Sequence, residues 1–295
     1  MTALRLGISL QPRWPIEDGA SVLRAARHAE EVGFDHVAIG NRLLDSGMGL
    51  DADPLVLLSA VAGATSRLRL LTSVLVTPYY PAVVLANQAA TLDVISGGRL
   101  ILGVGTGWNP AEFEVVNVPH RQRGARTDDH LAAAKTLWSQ RPAHFNGPFT
   151  TLRDAHPAVT PFTPGGPPIW VGGHSDAALR RTLRFGEAWF GTGAGAAEVA
   201  DVRRRLHDLA DDPSDAERLT LACAGFLTPP GFSPVLAAPG RALGGEQPSA
   251  ASVADDIAQL ADAGISSCTL WMPIAAQDLE KAMDWVAAEV IPLII

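Results

Sequence analysis

Cysteine is nearly absent: Cys223 and Cys268 are the only two in 295 residues, both in apolar strand-like runs without metal-ligand spacing. Such a pair reads as buried, inert thiols, not as a disulfide, a metal site or a nucleophile. Lysine is equally scarce, with Lys135 and Lys281 alone, so the basic residues are almost all arginine, a bias of coding composition more than of chemistry. The formal charge of −8 leaves no basic stripe, and the longest arginine cluster, Arg203 to Arg205, falls on a surface helix. Nucleic acid is thereby excluded as a partner. No apolar run approaches the roughly 20 residues that a bilayer span needs. The stretch from Met1 to Ile8 lacks a charged start, a long apolar run and a small-residue cleavage site, so a cytoplasmic protein with no membrane partner is expected.

What is present is a large apolar fraction, 47% hydrophobic against 18% charged, enough for a sizeable core. Strand-like and helix-like runs alternate: Leu4–Leu10 then a helix over about Ile16–Val32; Asp35–Ile39 then Pro54–Thr65; Leu68–Val76 then Pro81–Ser96; Leu100–Val104 then Thr127–Ser139. After a Pro-, Gly- and His-rich stretch at about 141–168 come Ile169–Val171 with Ser175–Arg184, Ala188–Phe190 with Ala196–Ala210, and Leu219–Phe226. A second irregular stretch at about 228–248 precedes a helix at Ala250–Ala263, a strand at Cys268–Met272 and a closing helix near Gln277–Val290. Eight β-then-α units predict eight parallel strands, and closure into a (β/α)8 TIM barrel removes both sheet edges. One barrel domain over 1–295 is expected, with the two irregular stretches as insertions at the barrel mouth, the first covering the active site.

In such a barrel the chemistry sits where strands end in loops. Four ends carry unusual residues: Gly40-Asn41-Arg42, Thr72-Ser73-Val74, Gly103 through Asn109, and Gly172-Gly173-His174-Ser175. The last turn opens a helix, so its amides suit a phosphate; equally, it is a glycine turn with Ser175 as helix cap. The Gly103-Val104-Gly105-Thr106-Gly107 run has GxGxG spacing, not GxGxxG, which disfavours a dinucleotide fingerprint. Its glycines either let a planar ring approach the backbone or simply make a tight turn.

Several segments occur together in order: Gly33-Phe34-Asp35, Thr65-Ser66-Arg67-Leu68-Arg69-Leu70, Gln88 through Arg99 with Thr91-Leu92-Asp93 and Ser96-Gly97-Gly98-Arg99, Gly103 through Trp108, Glu112-Phe113 and Trp170-Val171-Gly172-Gly173. In these the chain resembles the luciferase-like monooxygenase superfamily, and in Ser73-Val74 its coenzyme F420-dependent oxidoreductase branch. Arg123, Arg126 and Trp138 also fall where that family's pattern has similar residues.

The resemblance implies a flavin or deazaflavin in the barrel mouth and a homodimer built through early helices; no metal is expected. It implies a cis peptide at Ser73-Val74 in a bulge of the third strand. Ser73 and Val74 would support the cofactor ring, Gly105, Thr106 and Gly107 would flank it, and Gly172, Gly173 and His174 would hold the phosphate. Asn41 and Arg42 stand where relatives often carry Asp-His or Glu-His. They are the catalytic candidates, Arg42 as a fixed positive charge in place of a titratable group, with His174 and Glu112 as further proton-transfer candidates. Trp14, Tyr79, Trp108 and Phe162 line the pocket or belong to ordinary packing. The activity implied is hydride transfer between the deazaflavin C5 and a small organic substrate. An FMN-dependent monooxygenase and a non-catalytic cofactor-binding paralogue are the alternatives.

Overall fold

A computed structural model describes residues 4–10, 19–45, 52–237 and 240–294. Its strands are β1 (Arg5–Ser9), β2 (His36–Ile39), β3 (Arg69–Thr72), the short β4 (Leu75–Val76), β5 (Leu100–Gly105), β6 (Ala143–Asn146), β7 (Thr151–Ala155), β8 (Ile169–Gly172), β9 (Ala188–Thr192), β10 (Thr220–Phe226) and β11 (Ile265–Trp271). All but β6 and β7 form one parallel sheet in the order β3-β2-β1-β11-β10-β9-β8-β5-β4. Pairing of Leu70 with Leu100 and of Leu71 with Ile101 joins β3 to β5 and closes the ring. With β4 as a continuation of β3 past a bulge, the ring has eight staves, the expected (β/α)8 barrel.

The α-helices are α1 (Gly19–Glu31), α2 (Pro54–Ala64), α3 (Ala82–Ser96), α4 (Pro110–Val115), α5 (Arg123–Ser139), α6 (Asp176–Phe185), α7 (Ala196–Leu209), α8 (Pro213–Glu217), α9 (Ala250–Asp262), α10 (Leu279–Trp285) and α11 (Ile291–Ile294). Side-chain caps start several of them: Asp53 accepts from the Val56 amide, Asn109 from Ala111, and Ser249 and Ser252 form a capping box on α9. The short α4 and α8 and the β6–β7 hairpin are not legible in the sequence pattern, and residues 16–18 of the expected first helix lie outside the described residues.

Two apolar layers follow from strand alternation. Outward residues such as Val37, Ile39, Leu70, Leu102 and Leu270 pack on the helices. Inward ones, including Ala38, Leu71, Ile101, Trp170 and Phe190, fill the barrel. Each fully buried Leu, Ile, Val or Phe contributes about 1.5–3 kcal/mol relative to exposure. The interior is not wholly apolar, however: on the β1, β2 and β11 side it holds the buried His36, Ser267 and Thr269.

Much of the family-like sequence pattern turns out to be scaffolding. Arg99 donates to the carbonyls of Ala62, Leu68 and Ser96 and to Thr65 Oγ1, tying the α2–β3 turn to the start of β5. The buried Asp93 accepts from the Thr163 amide and hydroxyl at 2.7 and 3.1 Å. Glu30 collects the amides of Ser66, Arg67 and Leu68, which hold its carboxyl below the ordinary range despite the opposing cost of burial.

The segment 141–168 does not cover the site. It leaves the end of α5, opens with the cis Arg141-Pro142 bond, and its hairpin climbs the outside of α5. There Phe149 accepts Arg126 over its ring, and its amide donates to Asp129. None of 141–168 lines the mouth cavity. The reason is connectivity: a helix-to-strand link departs from the amino-terminal end of the barrel, opposite the mouth. The second irregular stretch does leave from the mouth, where Leu243 N donates to Phe226 O and Val235 N to Pro273 O, both at 2.7 Å.

Candidate active site

A cavity of about 430 Å³ opens at the carboxyl ends of the strands, within the range of small-molecule sites. Every stave contributes to it: Ser9 from β1, Gly40, Asn41 and Arg42 after β2, Ser73, Val74 and Val76 around β4, and Gly105, which ends β5, with Thr106 to Trp108 after it. Gly172 ends β8 and Gly173 follows it, and Phe190, Thr192, Ala224, Phe226, Thr269 and Trp271 come from β9 to β11. Nine of the ten residues assigned to the site from sequence are thus brought together. The tenth, His174, turns away: its Nδ1 is 2.9 Å from Glu198 Oε1 on α7 and its ring sits edge-on to Trp189.

The back wall is Val74. The Ser73-Val74 peptide is cis, as the resemblance implies. Val74 is seated between two residues that have no side chain: a Cβ on Gly105 would lie 2.7 Å from Val74 Cγ2, and one on Gly172 would lie 3.1 Å from Val74 Cγ1. Gly173 has φ +119, a backbone state open to glycine and strained for other residues. Its carbonyl accepts from Trp189 Nε1 at 2.8 Å, which fixes the turn before α6, and Ser175 caps that helix by accepting from the Ala178 amide.

Asn41 is largely committed to structure. Its Oδ1 accepts from the Val76 amide at 3.0 Å, while its buried Nδ2 has no hydrogen-bond partner among the described residues; the Tyr80 hydroxyl donates to Asp53 at 2.6 Å. Burial and Asp53 both push the Tyr80 phenol up. Arg42 is poised differently, its guanidinium 4.9 Å from the Trp108 ring centroid and 4.0 Å from Glu112 Oε2. Glu112 is fully buried and off the cavity. It accepts from the amides of Leu43 and Leu44 at 2.8 and 3.2 Å and from the Tyr79 hydroxyl at 2.8 Å, so it pins the loop that carries Arg42.

Of the four aromatic candidates, Trp108 lines the cavity. Tyr79 sits behind Glu112, and Phe162 lies against Gly98 at the opposite end of the barrel; Trp14 is outside the described residues. Sequence reasoning missed Ser9, Phe190, Phe226, Thr269 and Trp271. Their signal was inward parity at the last positions of β1 and β9–β11, which becomes readable only once the barrel interior is assigned. Among the described residues no cluster of His, Cys, Asp and Glu could hold a metal, and no helix is long and apolar enough to cross a membrane.

A closed parallel barrel with a cavity lined by glycines and aromatic residues at its mouth defines the class, an α/β-barrel. The chain belongs to the luciferase-like monooxygenase family, whose pattern it matches over residues 4–228. It is 34% identical over 197 residues to an uncharacterized protein of Mycobacterium tuberculosis, a match covering 65% of this chain and 67% of that one. It is 30% identical over 191 residues to an FMNH2-dependent dimethylsulfone monooxygenase of Pseudomonas putida, covering 62% of this chain and 52% of that protein. Among solved structures it superposes on an F420-dependent secondary alcohol dehydrogenase, in complex with an F420–acetone adduct, with TM-score 0.82 at 18% identity and 99% coverage of both chains.

Proposed function

We propose that this chain is a coenzyme F420-dependent oxidoreductase acting on a small organic substrate in the mouth cavity. The observation that carries the reading is the back wall: a valine held forward between Gly105 and Gly172, facing a cavity that Ser9, Gly40 and Thr106 also line. Small residues there leave room for a planar ring to approach the backbone, and Trp108, Phe226 and Trp271 supply aromatic edges around it. The residues present therefore fit a flavin-type group. Ser73, Val74, Gly105, Thr106 and Gly107 would hold its ring, and Gly172 and Gly173, ahead of α6, its phosphate. When bound, such a cofactor accepts and returns a hydride, and the protein's part is position and electrostatics. Arg42 supplies a permanent positive charge at the rim.

The deazaflavin is preferred because Ser73-Val74 matches the position used in that branch of the family. FMN is the second reading, favoured by the name of the Pseudomonas putida relative. A deazaflavin does not form the oxygen adduct that monooxygenation needs, so cofactor identity separates the two. Titration with each, followed by fluorescence quenching and absorbance shift, tests this. Tighter binding of the deazaflavin supports the proposal, tighter binding of FMN transfers it to the monooxygenase reading, and binding of neither refutes both.

The proposal includes a single barrel domain over 1–295 acting as a homodimer. Val56 on α2 and Val83, Val84, Val94 and Ile95 on α3 are exposed on the outer surface, an apolar face on the early helices that the family reading assigns to a second copy. Val84→Arg with Ile95→Arg is expected to halve the sedimenting mass without changing the circular dichroism.

A further inference from the structure

The barrel interior holds a polar column that the site described so far does not use. Thr269, on β11, lines the cavity floor and is otherwise buried. Its Oγ1 lies 2.7 Å from Nε2 of His36, at the start of β2, and the other ring nitrogen of His36, Nδ1, lies 3.1 Å from Asp35 Oδ2. His36 has no exposed surface, whereas the Asp35 side chain is 24% exposed at the amino-terminal end of the barrel. The column therefore runs from the cavity floor toward the opposite end.

Space is reserved for this ring. The position of a Cβ on Gly7 would be 2.1 Å from His36 Nε2, so β1 carries glycine where the imidazole crosses it. An apolar pair at 36 and 269 would fill the same volume as the branched residues that ordinarily pack barrel interiors, with no polar group to satisfy. A histidine kept there, satisfied at both nitrogens and joined to a hydroxyl on the cavity wall, is a costly arrangement with a functional geometry.

We propose that Thr269, His36 and Asp35 form a one-proton relay serving the cavity, with Thr269 the catalytic hydroxyl and His36 and Asp35 positioning residues behind it. It rests on the reading above only for the identity of the group that is served. The Asp35 carboxylate takes the Nδ1–H of His36, which leaves Nε2 to accept the Thr269 hydroxyl proton. When a bound group gives up a proton, a new O–H bond forms at Thr269 while its original O–H bond breaks and that proton joins Nε2. The imidazolium so formed lies against Asp35, and the reverse motion returns the proton. Nothing is oxidised or reduced.

The net effect of the ring's surroundings suits a proton held only transiently. Burial is the main cause that lowers the His36 pKa; Asp35, the residue just before β2, opposes it, and Arg69 on β3 and Arg5 on β1 lower it further. Trp170 on β8 presents a ring at 6.3 Å and Thr269 a neutral hydroxyl. Burial raises the Asp35 pKa, but the His36 hydrogen bond and the positive charges outweigh it, so the carboxyl stays below its ordinary range.

Two arms test the relay. In the free protein, imidazole-nitrogen NMR, with the His36 signals identified by their loss in His36→Gln, should show a neutral ring protonated at Nδ1. Thr269→Val should move the Nε2 signal as its donor disappears, with the melting curve checked for folding. A proton on Nε2, or an Nε2 signal indifferent to Thr269→Val, overturns the relay. In the second arm, Thr269→Val should slow turnover with the added deazaflavin or FMN about 10²-fold, with cofactor affinity unchanged and the solvent isotope effect lost. Thr269→Ser should restore both, and Asp35→Asn should displace the pH profile. Wild-type rate and isotope effect in Thr269→Val overturn the relay even if the cofactor reading holds. If neither cofactor binds, the cofactor reading fails, and the first arm alone decides the relay.

Discussion

Gly105→Ala is the sharpest perturbation of the back wall. The new methyl would stand 2.7 Å from Val74 Cγ2 and 3.7 Å from Val74 Cβ. The neighbour is a branched side chain with one stiff torsion, and its other methyl occupies the space beside Gly172 that a Cβ there would approach to 3.1 Å, so it yields only by leaving its rotamer or moving as a whole. Overpacking of this kind costs about 1–3 kcal/mol. The direction of relief is forward, into the cavity, so the cofactor dissociation constant should rise about tenfold, equivalent to about 1.4 kcal/mol. Gly63→Ala provides the contrast: that glycine lies in α2 with nothing within 4 Å of its Cβ position, and the same substitution there should stabilise by about 0.5–1 kcal/mol. Denaturant melts and cofactor titrations measure both. The double variant Gly105→Ala/Val74→Ala should recover much of the loss, a coupling of opposite sign to the single effects. Wild-type stability and affinity in Gly105→Ala, or no recovery in the double variant, would refute the assignment of Val74 as the wall of a filled site.

Three further outcomes are expected. Glu112→Gln keeps the shape that accepts the Leu43 and Leu44 amides but removes the charge 4.0 Å from Arg42, costing about 1–2 kcal/mol; Glu112→Ala, which leaves those donors unpaired in a buried place, should cost about 3 kcal/mol or more, as urea melts can show. Arg42→Ala should weaken binding or turnover more than Arg42→Lys, and Arg42→His should bring a pH dependence between about 5 and 8; equal behaviour of all three would remove Arg42 from the site. For the phosphate turn, Gly173→Asp is a poor probe because of φ +119, whereas Ser175→Asp keeps a capping side chain on α6 while adding a negative charge; it should weaken binding of a phosphate-bearing cofactor and leave the melting temperature nearly unchanged.

Stability should also depend on pH in a defined direction. Burial lowers the folded-state pKa of His36 and of His130, each with partial opposition from its surroundings. Above about pH 6.5 both imidazoles are neutral whether the chain is folded or not; below it the unfolded chain takes up protons that the folded one refuses, so stability falls as pH drops toward the folded values. Calorimetric melts between about pH 8 and 5 check this. A melting temperature that rises on acidification across that window contradicts it, and His36→Gln should flatten the slope.

The alternation of strand and helix was legible in the residue pattern because each stave must bury one face inside the barrel and one beneath a helix, and that requirement repeats locally eight times. The glycine-bearing strand ends were legible for the same reason, since a barrel puts its loops at one rim whatever the details. Those local rules brought Asn41, Arg42, Ser73, Val74, Gly105 and Gly172 onto one cavity, as the sequence reading assigned them. They did not decide direction. His174, adjacent in sequence to the glycine turn, faces Glu198 because α6 and α7 pack side by side, and Phe162 ends beneath the barrel because its link leaves from the amino-terminal end. The pairing of Glu112 with the loop after β2, 69 residues away, and of His36 with Thr269, 233 residues apart, exists only through ring closure. Periodicity can announce that a residue faces inward; which inward residue it meets is set by the register of strands distant in the chain, and that is a property of the closed barrel alone.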